Sequence, residues 1–558
     1  MQVAAPSIPL PRGRVDNRPL VDTRALEGLA VVALGLLAIA TRLVLRTLYL
    51  FNWDAIQFSL GVQRFDIAAH RPHPPGYLGY VLLGRLATRI AGGDTQTGLV
   101  LLSAVAEGAA VLLAYAAARS LWGRFAGWSA AVLLFTSPLF WFYGATALSY
   151  ALEPVLSLAL LWSAHRAGRG SARALVVAAL VVGLAGAIRP TDEAFLAIPL
   201  AWTGWRTWKS GRRGPLVAAS GVLALATCAW LAPLMVMSGG PGRYLLVSRE
   251  LSAHASDTSA IWKTGLSGLQ LNGGAVLAGL ALALGLLAPL ALTYLLVRRL
   301  PGMATQVRGL DRDYATLAWA LLAPTLVVYV LVHIGQLGYI LLVLPVMLLP
   351  AGFVISTLAR AVFGVARAGL AGVGLLAVCA VANVATFAMP QDGLRDQLAQ
   401  RDVYVANLLS TVRGYDPATT VLVTSAEANG SYRLAQYYLP AYTVIAVGTD
   451  KHHHAGEMFA TDGSAPEYDL ARFDRAGALR FPAGTRTVLV LDRDAANLFG
   501  DRTRLSPLAY GDDWHVWSAS AVAAGPDAAG SSVYVSRADC PCIGAGNTMP
   551  VPVPHQPL

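Results

Sequence analysis

The chain has 558 residues, of which 55% are hydrophobic and 13% charged, with a mean hydropathy of +0.53. That much apolar surface excludes an ordinary soluble protein, and so long a chain excludes one with a single anchor. The net charge of +10 does not point to nucleic acid, because the basic residues sit in short loops between apolar runs and set membrane orientation.

The expected class is a polytopic α-helical membrane protein with about eleven spans and an extracytoplasmic α/β domain. Residues 1–24 hold four arginines and four prolines ahead of an apolar run too long for a signal peptide. They read as a cytoplasmic segment before a retained first span. Apolar runs over 25–50, 98–118, 126–144, 148–164, 174–190, 193–208, 214–237, 274–297, 314–333, 338–357 and 368–388 make a membrane domain over 25–388. Residues 51–97 form an outer loop. Within it, 76–91 is short and carries Arg85 and Arg89, so it reads as an interfacial helix rather than a span. With it left out, nineteen Lys and Arg fall in cytoplasmic segments and ten outside, Arg42 and Arg46 among them, as the positive-inside rule requires. The N-terminus is then inside. Residues 389–558 alternate helical stretches at 394–412 and 432–438 with strand-like runs at 419–425, 443–447, 487–492 and 532–536, which is an α/β pattern. No glycine-rich phosphate loop follows a strand, and no nucleic acid partner is expected.

The chemistry concentrates in residues 52–77. Asp54 follows Asn52 and Trp53 at the outer end of the first span, a depth where a carboxylate is partly dehydrated yet reachable, as a general base requires. The bland reading is a helix-ending residue beside a belt aromatic. Asp66 and the run His70-Arg71-Pro72-His73-Pro74-Pro75-Gly76-Tyr77 weigh against it. Prolines stiffen the backbone and Gly76 permits a turn, but stiffening does not explain two histidines and an acid. No metal is required by the sequence; a divalent ion near Asp54 and Asp66, or at His70 and His73, stays open. Arg189 ends a span, where a guanidinium suits a phosphate, with pairing to Asp192 or Glu193 as its alternative. Arg243 and Arg249, with His254 and Lys263, lie in an outer loop suited to covering such a group. His333, Gln336 and Tyr339 gather at another outer helix end. Glu107 lies mid-span, where an acid is functional by default, though a structural pair with a neighbouring helix explains it better. Cys228 and Cys379 read as packing residues, and the Cys540-Pro541-Cys542 and His452-His453-His454 tracts and the Asn429-Gly430-Ser431 sequon carry little weight.

An arginine-rich end of the first span (Arg42, Arg46), an aspartate just beyond it, an acid before a His-Pro-Pro element and then an interfacial helix resemble the GT-C glycosyltransferases. The branch most similar is the protein O-mannosyltransferase and aminoarabinose-transferase type. The basic turn Arg119-Ser120-Leu121-Trp122-Gly123-Arg124, the Ser137-Pro138-Leu139-Phe140-Trp141 element, Gly186-Ala187-Ile188-Arg189-Pro190, and Gly338-Tyr339 with Leu344-Pro345 extend the resemblance over roughly the first 360 residues. Such a resemblance implies transfer of a sugar from a polyprenyl-phosphate carrier, with Asp54 as base, Asp66 orienting acceptor or donor, and Arg189, Arg243 and Arg249 on the donor phosphate. His73, Tyr77, Glu153, His333 and Tyr339 would line the acceptor cavity. The family's usual double acid is absent, since Ala55 follows Asp54, and Tyr150 stands where an acid is common, with Glu153 one turn later.

The expected activity is therefore a membrane glycosyltransferase of the bacterial cytoplasmic membrane, acting on a protein, lipid or polysaccharide acceptor, with membrane lipids as partners. A transporter or lipid-handling protein is the runner-up, although neither an inverted repeat nor paired broken spans are evident. An inactive relative that binds an envelope partner is the third reading.

Overall fold

A computed structural model of the chain describes residues 23–299, 310–390, 393–425, 431–447, 478–480, 487–491, 506–510, 532–537 and 548–550. The segment 1–22, the sequon asparagine Asn429, the 452–454 histidine tract and Cys540 with Cys542 lie outside the described residues.

The chain enters the bundle through α1 (Thr23–Val44), leaves it for α2 (Trp53–Gln63) and α3 (Leu78–Ile90), and returns as α4 (Thr95–Trp122). Residues 51–97 thus hold two helices where the sequence suggested one. α2 forms because Asn52, extended at φ −143°, accepts the Ala55 N–H at 3.1 Å through Oδ1, while Asp54 lies in the first turn. Both features stabilise a helix N-terminus. At 13 residues, α3 is about 20 Å long and too short for a hydrocarbon core of about 30 Å. It buries Leu78, Tyr80, Val81, Gly84 and Ala87 and leaves Leu82, Leu86 and Ile90 exposed.

The bundle continues with α5 (Arg124–Thr136), α6 (Pro138–Gly144), α7 (Glu153–Gly168), α8 (Ala172–Ile188), α9 (Pro190–Lys209), α10 (Arg213–Met237) and α11 (Pro241–Ser259). After α12 (Ile261–Thr264) come α13 (Leu266–Leu284), α14 (Leu287–Val297), α15 (Arg312–Leu331), α16 (Leu344–Leu348) and the long α17 (Ala351–Ala388). Among the described residues six helices are long and apolar enough to cross a membrane, or seven if α5 and α6, bent by 60°, make one span. This is fewer than the eleven spans expected, for physical reasons. The run at 148–164 spends its start on a 3-10 turn, Ser149–Leu152. α9 carries Asp192, Glu193, Arg206 and Lys209, the run at 274–297 breaks at Gly285, and the last two runs fall within one apolar stretch, Leu344–Ala388, interrupted at Gly364.

Arg42 is also not the loop cation that the charge count assumed. It lies on α1, fully buried, with Nε donating to Glu107 of α4 at 2.6 Å. The intramembrane acid is thereby a partner in a helix pair. Leucines and valines on α1, α10 and α17 face outward, Leu29, Leu36, Val217, Leu225, Val365 and Leu370 among them, as lipid contact requires. Cys379 is buried, whereas Cys228 is exposed.

Beyond α17 come α18 (Leu394–Arg413), α19 (Ser431–Tyr438) and the strands β1 (Thr420–Ser425), β2 (Thr443–Val447), β3 (Ala478–Arg480), β4 (Thr487–Val490), β5 (Ser506–Tyr510), β6 (Ser532–Arg537) and β7 (Thr548–Pro550). Five make a mixed sheet in the order β2-β1-β4-β6-β5, parallel at β2-β1-β4 and antiparallel at β4-β6-β5; β3 pairs with β7. Leu422 and Leu489 of the sheet, Val405 and Leu408 of α18 and the bundle residues belong to one continuous apolar cluster. The sheet and its helices are therefore packed on the same side as the loop that carries α2.

Candidate active site

Three local rules bring the polar residues together. Asn52 starts α2 and so fixes Asp54 in its first turn. Pro190 disfavours a helical conformation at the residue before it; Arg189 is accordingly extended (φ −153°, ψ 110°) and stands at the junction of α8 and α9. Gly338 passes so close to Tyr150 that a Cβ there would lie 2.6 Å from its ring. The segment ahead of it, after α15, can therefore approach both.

Asp54 is held by an amide relay. Its Oδ2 accepts from Gln336 Nε2 at 2.7 Å, and Gln336 Oε1 accepts from Asn52 Nδ2 at 3.0 Å. Asn52 thus orients the Gln336 amide so that its NH₂ faces the carboxylate. The other carboxylate oxygen lies 3.8 Å from His73 Nδ1, and the two side chains are 21% and 13% exposed, so this edge of Asp54 is open to a ligand. His73 is packed against Phe58 (5.4 Å between centroids) and Tyr77 (4.8 Å), with 3.1 Å between its Nε2 and the Tyr77 hydroxyl. Burial pushes the His73 imidazole below its ordinary pKa, against the pull of Asp54 and with help from Arg189 and Arg433, so the ring is neutral near pH 7. The turn beneath it carries cis bonds at Arg71-Pro72 and Pro74-Pro75 and a Gly76 with φ +115°. A Cβ at Gly76 would lie 2.6 Å from Leu234.

Three residues on, the same segment reaches a second cluster. Tyr339 lies under the Arg189 guanidinium at 3.8 Å to the ring centroid, and Tyr150 lies at 4.9 Å. Arg189 Nη1 donates to Glu153 at 2.8 Å, whereas its Nε is buried with no hydrogen-bond partner among the described residues, as are Glu153 Oε2 and Asp192 Oδ2. Asp54 and Arg189 are near enough that both charges act on the hydroxyls of Tyr77, Tyr143 and Tyr339. A partly open carboxylate and a buried cation with donor capacity to spare thus share one tyrosine-lined region, and residues 336–339 tie them together.

The remaining sequence candidates lie around it. Asp66 stands beyond the far end of α2, about 16 Å of helix from Asp54; its Oδ1 accepts from the Ala68 and Ala69 N–H groups and its main chain pairs with Arg71. Among the described residues its hydrogen-bond partners are Ala68, Ala69 and Arg71, not the Asp54 site. Arg243 and Arg249 are on α11, whose Tyr244 packs with Ile67 and Leu78 under the histidine loop. His333 Nδ1 is 2.8 Å from the Ser259 hydroxyl and its ring 6.2 Å from Tyr339. Among the described residues no three His, Cys, Asp or Glu side chains group as a metal site would require. Two participants carried no flag in the sequence. Tyr143 donates nothing there to distinguish it from the aromatic run Phe140-Trp141-Phe142, yet its hydroxyl accepts the Gly338 N–H at 2.7 Å. Arg433 belongs to a polar region some 380 residues from Asp54 and stacks on Trp53 at 5.7 Å.

Comparison with known proteins adds the family context. A model of the dolichyl-phosphate-mannose-protein mannosyltransferase family matches residues 73–232, a stretch that contains His73, Tyr77, Glu153 and Arg189 and starts after Asp54. No curated protein matches the chain in sequence. Among solved structures, ArnT from Cupriavidus metallidurans superposes over nearly its full length. The structure bound to undecaprenyl phosphate has a TM-score of 0.54 at 15% identity, covering 92% of this chain and 99% of that one. The apo structure gives 0.57 at 13% identity, covering 93% and 99%. The chain therefore has the fold of these ArnT structures, and the GT-C resemblance read from its motifs is borne out.

Proposed function

We propose that the protein is an inverting glycosyltransferase that moves a sugar from a polyprenyl-phosphate carrier to a hydroxyl acceptor at the outer face of the cytoplasmic membrane. The observation that carries this reading is the tie between Asp54 and Arg189 through residues 336–339, with Gln336 on the carboxylate and Tyr339 under the guanidinium. An acceptor hydroxyl approaching the open edge of Asp54 gives up its proton to the carboxylate as its oxygen bonds to the anomeric carbon. The bond from that carbon to the carrier phosphate breaks in the same displacement, so configuration inverts. Negative charge growing on the phosphate is met by Arg189, with Arg243 and Arg249 of α11 over the donor. Neutral His73 contributes a polar edge beside Asp54 without competing for its charge, and Asp66 keeps the histidine loop in shape. The match to an ArnT bound to undecaprenyl phosphate supports a carrier of this chemical class; the sugar and the acceptor are to be identified by assay.

The test is reconstitution of the full chain with labelled polyprenyl-phosphate sugars and envelope extract. Transfer by the wild type and its loss by about 100-fold or more in Asp54→Asn is the expected result, general-base catalysis contributing about 10²–10⁴-fold. Transfer that survives Asp54→Asn removes the base assignment, and a retained anomeric configuration removes the single displacement.

A further inference from the structure

The route by which the chain delivers Asp54 to its place is held from the other end of the sequence. Extended backbone beside hydrocarbon must have its N–H and C=O groups satisfied, and between α1 and α2 the partners are almost all side chains. Thr47 N donates to Ala145 O at 3.1 Å and Thr47 O accepts from Gln96 Nε2 at 3.0 Å. Leu48 N and Tyr49 N both donate to the carboxylate of Asp402, at 2.8 and 3.0 Å. Leu50 N donates to the Tyr438 hydroxyl at 2.9 Å, and Leu50 O accepts from Arg401 Nε at 3.3 Å. The Tyr438 hydroxyl in turn donates to Gln96 Oε1 at 2.8 Å, which closes the ring of contacts. Arg401 and Asp402 are consecutive on α18, and Tyr438 ends α19. One turn earlier on α19, Arg433 stacks on Trp53 and donates to Ala69 O at 3.0 Å. One helix of the C-terminal part thus touches the residue before Asp54 and also the loop that carries His73.

We propose that α18 and α19 are a positioning clamp for the active site, with Asp402 its principal positioning residue; this rests on the reading of Asp54 as the base. α2 is 11 residues long, and the last clamped backbone group, at Leu50, lies just ahead of its start at Trp53, so the clamped backbone sets where α2 begins and how it is rotated. Gln336 meets Asp54 from a different part of the bundle, after α15. A drift of α2 by about 1 Å would part the two and misplace the carboxylate toward the acceptor, a displacement that costs up to about 100-fold in rate. A carboxylate that accepts two successive N–H groups fixes both the position and the tilt of the backbone between them, which one hydrogen bond would not.

The experiment uses the full-length protein with Asp402→Asn, Tyr438→Phe and Asp54→Asn beside the wild type. Asn keeps the shape of Asp but offers one acceptor oxygen and turns its NH₂ toward an N–H. Rates are normalised to folded protein by the stoichiometry of bound polyprenyl phosphate. Asp402→Asn is expected to lower kcat per folded molecule by roughly 10- to 100-fold with the donor KM unchanged. Tyr438→Phe, which removes the hydroxyl that Leu50 N reaches and that donates to Gln96, is expected to lower kcat in the same way by about threefold to tenfold. A wild-type kcat per folded molecule in Asp402→Asn overturns the clamp. Should Asp402→Asn yield no folded protein, Tyr438→Phe decides by the same criterion. Transfer that persists in Asp54→Asn strikes the function reading instead, so the two failures are told apart.

Discussion

Among the described residues two buried acid–arginine pairs lie within the bundle, and their guanidinium groups are committed to different degrees. In the Arg42–Glu107 pair every nitrogen of the arginine is engaged. Nε donates to Glu107 at 2.6 Å, Nη1 to Thr41 at 3.2 Å and Nη2 to the Phe135 carbonyl at 2.8 Å, and Phe135, Phe140 and Trp141 cover the plane. The carboxylate lies where Gly144 leaves room for it. In the Arg189–Glu153 pair one nitrogen is spent on the acid, Nε keeps its hydrogen unshared, and two tyrosine rings flank the group. Burying a charge is costly, and the cost is offset by pairing together with full hydrogen bonding. The Arg42 guanidinium meets that standard, while Glu107 Oε1 is buried with no hydrogen-bond partner among the described residues, as Glu153 Oε2 is, and the pair reads as a tie between α1 and α4. The second stops short of it beside a partly open carboxylate, as a cation reserved for an anionic ligand would.

The sharpest way to break that contrast is to delete each pair as a unit. Arg42→Met alone leaves a buried acid without its partner and is expected to cost about 3–5 kcal/mol of stability, most of which returns in Arg42→Met/Glu107→Leu. That double variant should retain transfer. Arg189→Met/Glu153→Leu should also fold, yet lose transfer by about 100-fold or more, the size of effect seen when a charge-stabilising donor is removed from a transition state. Thermal unfolding in detergent and sugar transfer measure the two halves. Equal transfer in the two double variants would show that the unshared nitrogen has no bearing on function.

From sequence these two arginines are alike, each at the end of an apolar run, and the charge count places both among the outer charges. What separates them is the neighbouring helix, which hydropathy does not reveal. Most helix positions in the bundle are legible because apolar runs of this length have few other uses, and β1, β2, β4 and β6 are legible from their β-branched runs between turn residues, whereas β3, β5 and β7 carry no such run. α2 is not legible. Its residues from Ala55 to Val62 are buried on every side, so it lacks the polar face that marks an amphipathic helix, and Asn52 as an N-cap was the single available signal. Asp54, Arg189 and Tyr339 were legible as chemistry at span ends. Arg401, Asp402 and Arg433 were not, since their partners lie some 350 residues away or more, and nothing local distinguishes them from solvated charges of a polar region.

A smaller effect separates the two edges of Asp54 itself. One edge is fixed by Gln336 and the other is open. Hydrogen bonds to charged groups are worth about 1.5–3 kcal/mol, so Gln336→Leu is expected to lower kcat by roughly tenfold or somewhat more with the donor KM unchanged. Asn52→Ala removes the group that keeps the Gln336 amide the right way round together with the α2 cap, and is expected to cost about threefold through the relay. A larger loss in Asn52→Ala than in Gln336→Leu, measured in one assay series, would mean that Asn52 acts through the α2 cap rather than through the relay.

The smallest effect concerns His73, on the open edge. Burial lowers its pKa below 6.5 in the folded chain, so the folded protein holds the neutral ring while the unfolded chain takes up a proton at the ordinary value. The unfolded state therefore binds more protons in the window below pH 6.5, and stability falls as pH falls from about 6.5 through the folded pKa. His73→Phe fills the same space against Phe58 and Tyr77 and removes that proton uptake. Unfolding midpoints at about pH 7.5 and about pH 5.5 are expected to differ less in His73→Phe than in the wild type. An unchanged pH dependence in His73→Phe would mean that His73 titrates alike in the folded and unfolded chain, and a larger difference in His73→Phe than in the wild type would mean that the folded protein favours the charged ring, an ion pair that closes the Asp54 edge in the manner of Arg42 and Glu107.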